Sequence, residues 1–337
     1  MSDQIQTDDS ILLIRLSAIG DAVRGLPLAR YLRKNGFKGT IGWAAHPPID
    51  GLLNEWDEID RVHPVRRELL PFHPVRYWDD ASECQDYEYD WVFDLHGLLK
   101  SSLVSLASGG PRRIGFHRTN SKEFNFLFQN ETIGSLPESL PRILKYIQLC
   151  RPFIEESVFT RESIQPSQPT FSIQDNAIKE AAKETPVLIH PRTSHDRYGR
   201  KKEWGITNYT LLANELLPLI DNPILITWGP NEHSTADAIA RQFDSRVRVA
   251  PKTGKLSEFA YLIQNARLVI CGDTAPCHMA DVMGVPLVTL FGSSDHEISA
   301  PMLTNYRYLT GRGDEQATSD IPVSRVSKAV HDLIHDL

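Results

Sequence analysis

The apolar positions of this chain fall into short runs separated by stretches of helical periodicity, the pattern of strands alternating with helices. Residues 11–16 form a β-branched apolar run of the kind buried on both faces of a parallel sheet. Behind it, residues 22–34 carry helical spacing (Val23, Leu26, Ala29, Leu32) until Asn35-Gly36 stops it. Residues 40–45 and 90–95 predict further strands, and 97–107 a further helix. The second half repeats the pattern, with strands predicted at 186–190, 224–227, 268–271 and 286–291. Helices are predicted there at 208–219, from 231 through 240, and at 275–283. Such alternation predicts doubly wound parallel sheets.

Between the halves, residues 151–185 hold Pro152, Pro166 and Pro169 and little periodicity, which predicts an irregular connection. The expected division is a domain at 1–165, a linker at 166–185 and a domain at 186–337, with the last helix expected to pack back on the first domain. A length of 337 residues suits two domains of about 150 each.

Composition narrows the class. A net charge of -7 argues against a general nucleic-acid binder, so no nucleic acid is expected as partner. Cys84, Cys150, Cys271 and Cys277 form no CxxC pair and predict free thiols in a reducing compartment. Residues 1–10 are acidic and polar, unlike a signal peptide, and no apolar run approaches the roughly 18 residues that span a bilayer. A cytoplasmic, monomeric protein that meets lipid only peripherally is the expectation.

In open α/β sheets ligands bind beyond the carboxyl ends of the strands, so strand-to-helix junctions are where chemistry is sought. The first is Ser17-Ala18-Ile19-Gly20-Asp21. Gly20 would allow a left-handed turn or close approach of a ligand, and Asp21 is either a helix N-cap or a general base. The second runs from His190-Pro191-Arg192-Thr193-Ser194 to Lys201-Lys202-Glu203-Trp204. It offers hydroxyls and a phosphate-binding ammonium at Lys202, or simply a solvated basic loop. The third, Trp228-Gly229-Pro230-Asn231-Glu232, is a turn whose carboxylate suits a helix start or ribose hydroxyls. The fourth, Gly272-Asp273-Thr274-Ala275-Pro276-Cys277-His278, opens a helix whose free N–H groups suit a diphosphate, or it is a capped core helix. The sequence lacks GxGxxG, HExxH, GxSxG and any DxD pair, so no metal is expected.

Taken in order, these stretches resemble the heptosyltransferases of glycosyltransferase family 9. ILLIRLSAIGDAVRGLPLARYLR resembles the family's opening, and DWVFDLHGLLKSSL with RRIGF its next block. HPRTS with KKEW, then GPNE, then GDTAPCHMADVMGVPLVTLFG resemble the remaining blocks across nearly the whole chain. Ala275 and Arg192 stand where the family usually has glycine, and 138–146 lacks the histidine expected near the acceptor.

The resemblance implies a GT-B fold, two Rossmann-like doubly wound domains facing a cleft, with acceptor on the first and nucleotide sugar on the second. It implies inverting, metal-free transfer of a sugar from an ADP-linked donor, itself the substrate and not a cofactor, to an anionic glycolipid acceptor (Kdo sugars on lipid A). Asp21 would be the base, with Lys202 the catalytic cation. Thr193, Ser194, Thr274 and Ala275 would hold the diphosphate, Glu232 the ribose, and Asp273 with His278 the sugar side. Arg15, Ser17, Arg24, Arg113 and Arg118 would meet the acceptor, with Lys100 and Arg112 as further cations. Two other readings stand beside this one: an epimerase or hydrolase of the same fold, and a non-catalytic nucleotide-sugar binder.

Overall fold

In the computed structural model, residues 4–153, 164–192, 203–292, 295–311 and 317–336 are described. They divide into two compact units, one through Thr170 and one from Phe171.

The first unit holds strands β1 (Ile11–Ile14), β2 (Ile41–Ala45), β3 (Arg61–Pro64), β4 (Trp91–Asp94), β5 (Arg112–Gly115) and β6 (Glu131–Thr132). Its helices are α1 (Ile19–Val23), α2 (Leu26–Lys34), α3 (Ile49–Leu53), α4 (Pro74–Ser82), α5 (Leu99–Ala107) and α6 (Arg142–Cys150). The strands pair in parallel in the order β3-β2-β1-β4-β5-β6. All four residues of β1 are fully buried, because a parallel sheet crossed by helices is covered on both faces. Leu12 and Ile14 point to one face and meet Ala44, Val92 and Val104 in one apolar cluster, as a period of two requires.

The helix expected at 22–34 is two helices, α1 and α2, broken at Arg24-Gly25. A Cβ on Gly25 would lie 2.6 Å from the Trp43 ring, so this break lets the chain pass a buried indole that a side chain would collide with. Of the two roles open to Gly20, the left-handed turn is not taken. It is a buried residue inside α1, and its φ is not positive.

The second unit holds β7 (Val187–His190), β8 (Ile224–Ile226), β9 (Val247–Val249), β10 (Leu268–Gly272), β11 (Leu287–Phe291) and β12 (Tyr306–Thr310). Its helices are α7 (Asn176–Lys183), α8 (Ile206–Leu216), α9 (His233–Ala240), α10 (Leu256–Gln264), α11 (Ala275–Met283), α12 (His296–Ser299) and α13 (Val323–His335). Its parallel order, β12-β11-β10-β7-β8-β9, is the same topology as the first sheet once the strands are counted from the start of the unit. Both are therefore Rossmann-type sheets, and each reverses its winding beside its first strand, between β1 and β4 and between β7 and β10. Val326, Val330 and Leu333 of α13 join Val187, Ile189, Leu212 and Ile224 in the second unit's core.

Residues 176–183, read as part of an irregular linker, form α7. Asp175 caps it by accepting from the N–H groups of Ala177 and Ile178, the local signal that the surrounding prolines obscured. Among the described residues no helix is long and apolar enough to cross a membrane, and all four cysteines are buried and free.

Candidate active site

In the first unit the tails of β1 and β4 meet at the switch point. Asp21 lies in the first turn of α1 but caps nothing, since that helix has no side-chain cap. Its carboxylate instead gathers three arginines. Arg15 Nη2 pairs with one oxygen; Arg24 Nη2 lies 2.6 Å and Arg142 Nε 3.7 Å from the other. Ion pairs of this kind favour the ionised carboxylate. Arg15 is fixed from behind, its Nη1 donating to the carbonyls of Leu95 and His96 at 3.3 Å each.

His96 Nδ1 accepts the N–H of Leu16 at 3.2 Å. Burial, with Arg15 and Lys100 nearby, pushes this imidazole down to about 2, so it stands neutral beside the cations. Asp94 is fully buried and takes N–H donors from His96 and Gly97, with Ser101, Asn125 and Gln129 donating to it as well. Gly97, at φ +68°, supplies the left-handed turn between β4 and α5.

Asp21 and the buried Asp94 stand here among several cations. Lys145 is pushed down to about 8 by burial and by Arg142, Arg15 and Lys122. Lys100 is lowered by burial, Arg67 and Arg15, and its Nζ donates to Ser17 Oγ at 3.3 Å. Arg24 Nε and Nη1, Arg15 Nε and the Tyr146 hydroxyl are buried with no hydrogen-bond partner among the described residues. These buried groups, with Lys100 and Lys145 beside them, make the corner strongly cationic.

Not every cation predicted from the sequence joins it. Arg113 is level with Val92 in the sheet, and its guanidinium donates to the carbonyls of Gly110 and Phe128 at the amino-terminal side. Arg112 pairs with Glu131 and lies 3.9 Å over the Trp91 ring. Both brace β5 at the edge away from Asp21, so the expectation for Arg113 is corrected. Arg118 is exposed in the loop beyond the carboxyl end of β5. Arg142 and Tyr146 were missed. They stand on α6, far along the chain from Asp21, where no local sequence signal marks them.

In the second unit the junctions after β7, β8 and β10 lie side by side, since β7 is flanked by the other two. His190 ends β7; burial pushes it down to about 4, and its Nδ1 lies 3.0 Å from Thr227 Oγ1. Arg192 pairs with Glu203 at 3.0 Å, which occupies the side chain standing in place of glycine. Thr193, Ser194 and Lys202 lie outside the described residues.

Glu232 opens α9 and accepts the N–H of Gly229 at 2.7 Å, a contact that fixes the carboxylate at the strand end. On the other side Thr274 is the N-cap residue of α11, with Pro276 in the first turn and no side-chain cap. That leaves the first-turn amides, those of Thr274 and Ala275 among them, facing the strand ends with the positive end of the helix dipole. Asp273 Oδ1 and His278 Nε2 are 3.3 Å apart across this turn. Glu232 and Thr274 thus stand on the two flanks of β7. A depression of about 760 Å³ lined by Thr185, Asn222, Arg267 and Pro286 lies at the opposite, amino-terminal ends of these strands. It has none of this chemistry.

A family model described as "Glycosyltransferase family 9 (heptosyltransferase)" matches residues 81–325. The chain belongs to glycosyltransferase family 9. It is therefore a glycosyltransferase, and its fold is of the GT-B type. "Lipopolysaccharide heptosyltransferase 1" of Campylobacter coli is 24% identical over 300 residues, covering 84% of each chain. The crystal structure of a family 9 glycosyl transferase from Veillonella parvula superposes with a TM-score of 0.82 at 17% identity, covering 100% of both chains. The E. coli heptosyltransferase WaaC with ADP superposes at 0.78 and 20% identity, over 96% of this chain and 99% of that one.

Proposed function

We propose that this family 9 enzyme transfers heptose from an ADP-linked donor to an anionic, lipopolysaccharide core-type acceptor, with inversion at the anomeric carbon and without a metal ion. The observation that carries the reading is the gathering of Arg15, Arg24 and Arg142 on Asp21, a carboxylate placed among cations that suit an acceptor bearing carboxylates. In the reaction the acceptor alcohol attacks the anomeric carbon, and the new C–O bond forms as the bond to the diphosphate breaks. The hydroxyl proton passes to Asp21, and ADP departs with the bonding electron pair.

Before substrate arrives, the arginines hold Asp21 ionised. Acceptor carboxylates then engage Arg24 and Arg142, weaken their hold, and raise the proton affinity of Asp21 as the alcohol comes within reach. On the donor side, the amino end of α11 meets the diphosphate, with Lys202, Thr193 and Ser194 assigned there by the family pattern. Glu232 takes the ribose hydroxyls. The absence of a DxD pair from the sequence supports charge neutralisation by helix and side chains. A nucleotide-sugar donor supports a cytoplasmic reading.

The test is transfer by the purified protein from ADP-heptose to Kdo-bearing lipid A, with the product's anomeric configuration read by NMR. An inverted product, formed equally in EDTA, is expected, and ADP should raise the melting temperature more than UDP or GDP does. A retained configuration, or EDTA-sensitive transfer restored by added metal, overturns the proposal.

A further inference from the structure

The end of α13 reads His331-Asp332-Leu333-Ile334-His335, two imidazoles four residues apart. At about 3.6 residues per turn that spacing sets them on one face of the helix. Both are exposed there, while Val330 and Leu333 enter the core of the second unit. Their Nε2 atoms come to 3.0 Å and their ring centroids to 4.2 Å. Metal–nitrogen bonds of about 2.05 Å across that 3.0 Å gap would meet at the ion at about 94°. This is close to the right angle of a square-planar or octahedral ion. The tetrahedral angle usual for Zn²⁺ needs the two nitrogens about 3.3 Å apart.

We propose that His331 and His335 chelate a divalent transition-metal ion of the Cu²⁺ or Ni²⁺ class, with water filling its other positions. The surroundings suit a cation. Asp332 Oδ1 lies 3.6 Å from His331 Nδ1, a small rotation from accepting the proton of the ring nitrogen that faces away from the ion. His335 stands in the last turn of α13, beside the negative end of the helix dipole. The cations nearby are engaged, Arg307 by Asp336 and Lys328 by Asp332. Among the described residues no third His, Cys, Asp or Glu completes a metal cluster, so the ion exchanges with solvent. Ile334, between the two histidines, lines the depression at the amino-terminal ends of the strands, the edge opposite Glu232 and Thr274. The ion therefore clips the end of α13 and takes no part in sugar transfer.

The experiment is calorimetric titration of the EDTA-treated full chain, after the chelator is removed, with CuCl₂, NiCl₂ and ZnCl₂ in turn. Affinity is expected to fall in the order Cu²⁺, Ni²⁺, Zn²⁺, and the electron paramagnetic resonance spectrum of the Cu²⁺ form should show two coordinating nitrogens. His335→Ala should weaken Ni²⁺ binding at least tenfold. His331→Ala combined with Lys328→His keeps the number of histidines but places the two imidazoles roughly 10 Å apart along the helix, and should lose binding equally. Without metal, both variants should melt as the wild type does, which shows that they are folded. Ni²⁺ in hundredfold excess over its Kd should raise the melting temperature of the wild type by a few degrees and of neither variant. Sugar transfer by both variants should stay within twofold of wild type. Ni²⁺ binding that survives in either variant, Zn²⁺ bound more tightly than Ni²⁺, or a copper spectrum with a single nitrogen overturns the proposal.

Discussion

The two units wind their strands identically, yet the same topological corner holds opposite chemistry in each. At the corner of the first, side chains supply the function: arginines from the β1 tail, the α1 end and α6 converge on one carboxylate. At the corner of the second, main chain does more of the work, with the uncapped start of α11 on one flank and a carboxylate fixed by a backbone amide on the other. The difference follows from what each corner is proposed to meet. A diphosphate has a regular shape that backbone amides match. An acceptor that must also give up a proton needs a titratable group with tunable neighbours.

The largest effect should come from removing the arginine that ties the first corner together. Arg15→Ala takes away a buried partner of Asp21 and the bonds to Leu95 and His96. It should cost about 3 kcal/mol of stability in a denaturant titration, as loss of one member of a buried ion pair does. An unchanged midpoint would show that the cluster is held by other means. Next comes a test of separation. Glu232→Gln should weaken ADP binding roughly tenfold, the worth of a hydrogen bond to a charged group, while leaving the acceptor KM unchanged. A change in acceptor KM alone would put Glu232 on the wrong side of the comparison.

The smallest effect is on pH dependence. Lys145 titrates at about 8, so it is charged below that value and neutral above it. Acceptor KM should therefore rise as pH passes through 8, by about fivefold for a partly screened charge, with ADP affinity flat over the same range. Rates measured with Lys145→Met should lose that inflection. An inflection that survives belongs to another group.

Much of this was legible because a strand end and the helix after it are neighbours in sequence. Asp21, Glu232 and Thr274 could each be found by walking off the end of an apolar run. What failed to show was whatever depends on distant chain or on side-chain direction. Arg142 and Tyr146 reach Asp21 only because α6 folds across the first unit, and no local pattern marks a helix residue as facing a strand end. Arg113 looked like a cleft cation, yet its position on β5 aims it at Gly110 and Phe128. The break at Gly25 is dictated by Trp43, a residue of the next strand.

The account depends on the division of labour between the two corners, and Asp21→Asn tests it most directly. Turnover and ADP affinity should be measured on the same preparation, with thermal melting to show that the fold survives. Loss of a general base predicts a kcat lower by about a hundredfold or more, with ADP binding within twofold of wild type. A variant that retains most of its turnover, or one that loses ADP binding in step with it, would contradict the assignment of proton transfer to the first unit and nucleotide binding to the second.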